Sequence, residues 1–384
     1  MVAPARTLFD QLNEQILRNG SIRFDEYMEL ALYHRSDGFF STSGGAGRSG
    51  ADFLTSPEVG PLFGAVMAQY LDARWRELGC PDPFVVVEAA AGRGALALAV
   101  RAAEPACAAA LRYVLVERSE SLRLRQREHL RLVEPNEVFG PAAGEDAESL
   151  AVQQSSGPLF CSLEDLPAEA VTGVVIANEL LDNIPVRILQ RDQTAWLELR
   201  VTLEETEFVE LLVPADPATA RLADELLPQA PQGVRIPLQA LAADWLHQAR
   251  SLLRAGSVLV IDYCASSEAL SERPYSEWLR TYRAQERGQP PLKRPGTQDI
   301  TCELAVDQLQ RVAPVTAQAT QADWLKRWGI EDLVREGRQI WKDGASKGSI
   351  AAVRGRSRVI EAEALLDPAG LGAFQVLEWR VGSC

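Results

Sequence analysis

At 384 residues the chain is long enough for one large domain with insertions, or for two domains. A hydrophobic fraction of 47% with 24% charged side chains belongs to a folded globular protein and argues against disorder across the chain. The net charge of −14 disfavours broad, salt-sensitive adhesion to nucleic acid and suits a basic partner, such as a protein segment carrying arginine.

The N-terminus mixes acids with bases and lacks an apolar signal core, which reads as a cytoplasmic protein. No apolar run approaches the ~18 residues of a membrane span, so no membrane partner is expected. Residues 8–17 and 24–32 repeat apolar side chains at helical spacing. Residues 36–60 are too rich in Gly and Ser for a regular element, and a loop of that length is commonly functional. A helix resumes over 61–78 with Pro61 in its first turn.

From position 83 strands alternate with helices. Short apolar runs at 84–88, 113–117, 174–178 and 258–262 carry many β-branched residues and little polar alternation, as parallel strands covered on both faces do. Each ends in a polar or acidic residue, and open α/β sheets bind ligands at those carboxyl ends. Residues 186–213 alternate apolar and polar side chains, which predicts an inserted antiparallel meander, followed by a helical stretch over 217–254. A second long loop region covers 266–300, and residues 374–379 read as a terminal strand.

The six cysteines are widely spaced and the three histidines (His34, His129, His247) form no ligand pattern, so no metal site is expected. No G-x-S-x-G elbow is present for a serine hydrolase.

The run Glu88-Ala-Ala-Ala-Gly92-Arg-Gly94 links a strand to a helix, and a second strand ends at Glu117. Glycines let the backbone approach a ligand, and an acid about 20 residues beyond the turn suits ribose hydroxyls. A dinucleotide site would want G-x-G-x-x-G to seat pyrophosphate on the helix N-terminus. An acid at the strand end opposes pyrophosphate but suits the ammonium and sulfonium charges of S-adenosylmethionine. Ala90 stands where the methyltransferase form of the loop usually has its first glycine. A nicotinamide-dependent oxidoreductase is therefore disfavoured.

Around this loop, SGADFLTSPEVGPLFG (49–64), VVEAAAGRGAL (86–96), YVLVERS (113–119), IANELLDNIPVR (176–187) and VLVIDY (258–263) resemble, in order, the blocks of the MidA-like arginine methyltransferases. LRTYRAQ (279–285) and RPGTQDIT (294–301) resemble two later blocks. The resemblance implies a doubly wound, seven-stranded α/β methyltransferase sheet with an N-terminal helical segment and an inserted subdomain. On that reading 1–82 hold the helical segment and Gly-rich loop, and 83–185 the first part of the methyltransferase domain. The meander and helical subdomain then cover 186–255, and the second part of the domain 256–384.

The resemblance also implies methyl transfer from S-adenosylmethionine to a protein arginine. It assigns Glu88, Ala90, Gly92 and Gly94 to the cofactor loop and Glu117 to the ribose. Asp52, Thr55, Ser56, Pro57 and Glu58 match the N-terminal block bordering the site, and Asn178, Glu179 and Asp182 the block after the fourth strand. The chain departs from the family at Ala90, at Cys264 and Cys302, and at Gln285, where a histidine is usual.

Carboxylates can grip a guanidinium through paired hydrogen bonds and aim one nitrogen at the methyl group. Glu179 and Asp182, three residues apart past a strand end, are the candidate catalytic pair, with Glu58 closing over them. Either acid of the pair could instead cap a turn or pair with Arg187. The absence of Asn/Asp-Pro-Pro-aromatic after the fourth strand argues against a nucleic-acid methylase. The competing reading is a catalytically weak assembly factor that keeps the fold and docks a partner, favoured by the substitutions at Cys264, Cys302 and Gln285. Oligomeric state is left open.

Overall fold

The computed structural model describes residues 6–42, 55–140, 154–283, 286–345 and 349–382. Asp52 and Gln285 lie outside the described residues, as does most of the Gly-rich segment. The chain divides into two compact units, residues 54–179, 248–262 and 315–384 in one, and 1–53, 180–247 and 263–314 in the other.

The first unit is built on seven strands: β1 (Phe84–Ala89), β2 (Leu111–Val116), β3 (Leu159–Leu163), β4 (Val171–Asn178), β5 (Leu253–Asp262), β6 (Ala317–Thr320) and β7 (Gln375–Val381). Their order across the sheet is 3-2-1-4-5-7-6. β1 to β5 are parallel, whereas β7 runs antiparallel to both β5 and β6. This is the expected doubly wound, seven-stranded sheet. All six residues of β1 and of β2 are buried, which accounts for their nearly unbroken apolar sequence.

The short helix α1 (Ser56–Val59) falls inside the stretch expected to be a loop, whereas helices α2 (Pro61–Glu77), α3 (Ala95–Ala102) and α4 (Glu120–His129) follow the pattern read from the sequence. The core packs Leu62, Phe63, Val66 and Tyr70 of α2 and Leu96 and Val100 of α3 against Val86, Tyr113, Leu115, Val174 and Ile176 of the sheet. Register brings Ala89 of β1 opposite both Val116 of β2 and Ala177 of β4. The chain therefore leaves three neighbouring strands at one level, through Ala90, Glu117 and Asn178. The strand order reverses between β1 and β4, and a reversal of this kind opens a crevice at the carboxyl ends.

The second unit carries helices Leu8–Asn19 and Phe24–Tyr33 and a five-stranded sheet. Strands Arg187–Arg191, Trp196–Glu204 and Glu207–Pro214 form the antiparallel meander expected over 186–213. The stretch 217–254 is not continuously helical. Helices Pro217–Leu226 and Ala240–Ser251 are separated by strand Arg235–Leu238, which pairs with Arg187–Arg191. The region 266–300 is likewise more ordered than a loop, because Leu279–Arg283 pairs antiparallel with Asp299–Cys302.

Candidate active site

The turn after β1 has its backbone set by three alternate positions of positive φ, Ala90 (φ 57°), Gly92 (φ 52°) and Gly94 (φ 80°). A side chain at Gly94 would stand 3.0 Å from Leu115 and 3.1 Å from Leu130, so glycine is required there both for backbone and for packing. At Gly92 a Cβ would point into open space, as a surface meant for a ligand should. Ala90 takes the left-handed conformation with a Cβ in place, a local strain of the kind stored at functional turns.

Gly92 is clamped from both sides. Its N–H donates to Glu117 Oε2 at 2.9 Å, and its carbonyl accepts from the buried Gln126 amide at 2.8 Å. Gln126 is itself oriented by Ser162, whose hydroxyl donates to its Oε1. The other oxygen of Glu117 accepts from the Ser119 N–H at 2.8 Å. A carboxylate offers about four lone-pair sites, so Glu117 retains capacity for ribose hydroxyls. Burial raises its proton affinity, which the Gly92 and Ser119 N–H groups and Arg123 oppose.

Glu88 does not project past the strand end as an open anion. It is buried, and the Tyr113 hydroxyl donates to its Oε2 at 2.8 Å. Burial pushes its carboxyl up to about 8, partly countered by Tyr113 and reinforced by the charge of Glu117.

After β4 the chain turns at Glu179, which has φ 52° and whose N–H still donates to Ile261 of β5 at 2.9 Å. Glu179 Oε1 accepts from the Asn178 amide at 3.0 Å and from the Ser56 N–H at 3.3 Å. Ser56 is fully buried at the start of α1, and its hydroxyl donates to Gln321, 265 residues away in the chain. Thr55 and Pro57 flank it, Thr55 accepting the Glu58 N–H at 2.9 Å. Glu58 faces the cofactor turn, its carboxylate 3.6 Å from the Arg93 guanidinium.

Of the residues expected from sequence, Ser56, Asn178 and Glu179 thus meet directly, and Glu58 meets the loop that carries Gly92 and Gly94. Asp182 belongs to the other unit, on a single 3-10 turn, Leu181–Asn183. It is buried, its carboxyl pushed up to about 7 by that burial and held down in part by backbone N–H groups including that of Asn183. Arg187 pairs with neither acid but with Glu198 at 2.6 Å and Asp216 at 3.3 Å. Cys302 is fully buried, with the Gln239 amide 3.5 Å from its sulfur, and Cys264 begins a two-residue strand beside Leu304.

Sequence reasoning missed Tyr113, Gln126, Arg93 and Gln321. Tyr113 had one available signal: it lies two residues before Leu115, which the register pairs with Glu88, so it shares the Glu88 face. No local pattern pointed to Gln321.

Residues 66–323 match the family of S-adenosyl-L-methionine-dependent methyltransferases designated Methyltransf_28. The chain belongs to this family. Among similar proteins is the mitochondrial protein arginine methyltransferase NDUFAF7 homolog of Drosophila melanogaster, 27% identical over 80% of this chain and 70% of that protein. Human mitochondrial protein arginine methyltransferase NDUFAF7 is 25% identical over 85% of this chain and 74% of that one. A Burkholderia thailandensis protein, solved with S-adenosyl-homocysteine bound, superposes with a TM-score of 0.77 at 25% identity, covering 97% of this chain and 91% of the other.

These relatives correct one expectation. The N-terminus reads as that of a cytoplasmic protein, whereas these arginine methyltransferase relatives are mitochondrial. Among the described residues no helix is long and apolar enough to cross a membrane.

The methyltransferase's own residues fit the cofactor of its family. Gly92 leaves open space above the turn, and the buried Asn178 Oδ1 finds no hydrogen-bond partner among the described residues. A buried acceptor without a donor is costly and is relieved by a ligand bringing one.

Proposed function

We propose that this methyltransferase methylates the side chain of an arginine in a protein substrate, with Glu179 as the carboxylate that grips the guanidinium. The supporting observation is the way Glu179 is held. It sits in a left-handed conformation immediately past β4, with Oε1 fixed by Asn178 and by the Ser56 N–H. A carboxylate immobilised through one oxygen presents the other in a fixed direction, and orientation supplies much of the acceleration of an in-line displacement. The names of the relatives support the same substrate class.

Thr55, Ser56, Pro57, Glu88, Ala90, Gly92, Gly94, Glu117 and Asn178 are assigned to cofactor binding, Glu117 toward the ribose and Asn178 through its unfilled Oδ1. Bound S-adenosylmethionine supplies a methyl group on a positively charged sulfur. Arginine is fully protonated and delocalised, hence a poor nucleophile. Glu179 would bias the guanidinium's charge toward one nitrogen, leave the other free to face the methyl group, and accept, directly or through solvent, the proton that the methylated nitrogen gives up. Glu58, through Arg93, ties the segment carrying Ser56 to the cofactor turn. Asp182, whose carboxyl accepts from the backbone of its own turn, shapes the chain leaving Glu179 rather than touching substrate.

The test is chemical. Protein is incubated with methyl-labelled S-adenosylmethionine and cell lysate, and the labelled proteins are hydrolysed to amino acids. Label in methylarginine is the expected result. Label confined to methyl-lysine, carboxyl esters or nucleic acid would overturn the substrate assignment.

A further inference from the structure

The Glu88 carboxyl is an odd partner for a charged ligand, because it is buried under the cofactor turn and already bonded to a phenol. It shares its face of β1 with Phe84 and Val86, and the neighbouring strand β4 presents Val174 and Ile176 to the same core. The polar groups acting on it are Tyr113, which donates at 2.8 Å, and the Glu117 carboxylate just past β2. The charged groups of α2 are engaged elsewhere: Asp72 with Arg76, and Arg74 with Glu77 and Glu378. Arg93 pairs with Glu58, and Arg101 of α3 is exposed. No cation among these neutralises Glu88.

We infer that the Tyr113–Glu88 pair matches the charge of the cofactor turn to the charge of its ligand, releasing a proton when the sulfonium cofactor binds and retaining it when the uncharged sulfide product takes its place. Tyr113 is the positioning residue of the pair. The inference rests on the family's cofactor being S-adenosylmethionine and goes beyond that assignment.

The geometry supports it in three ways. A buried carboxyl with no cationic neighbour among the described residues favours its neutral form at neutral pH, in line with its rise to about 8. A ligand bringing one positive charge nearby reverses that balance, and the proton leaves to solvent. Burial and Glu88 push the Tyr113 phenol well above its ordinary range, so it remains a donor throughout and favours the ionised carboxylate. After transfer the sulfur has lost its charge, the carboxylate is again uncompensated, and it takes a proton back; this uptake favours the product complex below about pH 8, and the balance moves toward fresh cofactor as pH rises.

The experiment is calorimetric titration of S-adenosylmethionine and S-adenosylhomocysteine into the full-length protein between pH 6 and 9, in buffers of different ionisation heat. Below about pH 8 the affinity for S-adenosylmethionine should climb with pH, at most about tenfold per pH unit, with close to one proton released. S-adenosylhomocysteine should show a flat profile and no release. Tyr113→Phe keeps the ring packing on Phe160 and should move the S-adenosylmethionine profile to higher pH, because the lost hydrogen bond lowered the proton affinity of Glu88. Glu88→Gln should abolish both the slope and the proton release.

Equal slopes for the two ligands in wild type, or a Tyr113→Phe profile superimposable on wild type, would overturn the inference alone. Absence of binding by either ligand at every pH would overturn the cofactor assignment and the inference with it.

Discussion

The turn after β1 and the turn after β4 leave the sheet side by side, and each contains a left-handed residue bearing a side chain, Ala90 in one and Glu179 in the other. They use that strain differently. In the first, the acid stays behind in the sheet, and what the turn offers is bare backbone at Gly92, steadied by Glu117 on its N–H and Gln126 on its carbonyl. In the second, the acid itself occupies the left-handed position and is steadied through its own carboxylate by Asn178 and Ser56. On the proposed reading the first turn receives the cofactor largely through backbone held in place by Glu117 and Gln126. The chemistry, on the same reading, falls to a side chain, which must point in one direction.

That contrast breaks most visibly at Glu117. Glu117→Ala removes the acceptor of the Gly92 N–H along with the acid proposed to meet the ribose, and hydrogen bonds to a charged group contribute about 1.5–3 kcal/mol. Calorimetry should show S-adenosylmethionine affinity falling about tenfold to a hundredfold. Unchanged affinity would mean that the turn does not receive the cofactor. Gly94→Ala tests the backbone side alone. With φ at 80° and Leu115 3.0 Å from the new Cβ, it should destabilise the protein by about 1–2 kcal/mol in denaturant unfolding.

The pH dependence of stability probes the acid kept in the sheet. Glu88 titrates near 4.5 when unfolded and near 8 when folded, so between these values the folded protein holds a proton that the unfolded chain has lost. Its contribution to stability is full below about pH 4.5 and declines as pH rises to about 8. Unfolding curves of wild type and Glu88→Gln should therefore diverge over that window, the variant losing less stability with rising pH. The smallest effect is expected at Ala90. Ala90→Gly relieves a left-handed Cβ but adds freedom to the unfolded chain, so a net gain of under about 1 kcal/mol should appear as a modest rise in Tm.

Much of the first turn was legible in the sequence because its determinants are local. Strand, glycines and helix follow one another over 84–102, and Glu117 lies at a spacing set by one helix and one strand. The parallel strands announced themselves through buried β-branched runs. What escaped were contacts created by register and by chain closure. Tyr113 meets Glu88 because β1 and β2 are paired in one particular register, and Gln321 reaches Ser56 across 265 residues. Strand Arg235–Leu238 was hidden inside a helical stretch, being four residues long with Pro237 in its middle. The position of Asp182 could be read but not its surroundings, since three residues of spacing from Glu179 say nothing about burial.

The division of labour between the two turns is tested most directly by one variant read two ways. Glu179→Gln keeps the size of the side chain and removes its charge. Single-turnover methyl transfer should fall about a hundredfold or more, as when a group stabilising transition-state charge is lost, while S-adenosylmethionine affinity stays within about threefold of wild type. Transfer at the wild-type rate, or a loss accounted for entirely by weaker cofactor binding, would contradict the account.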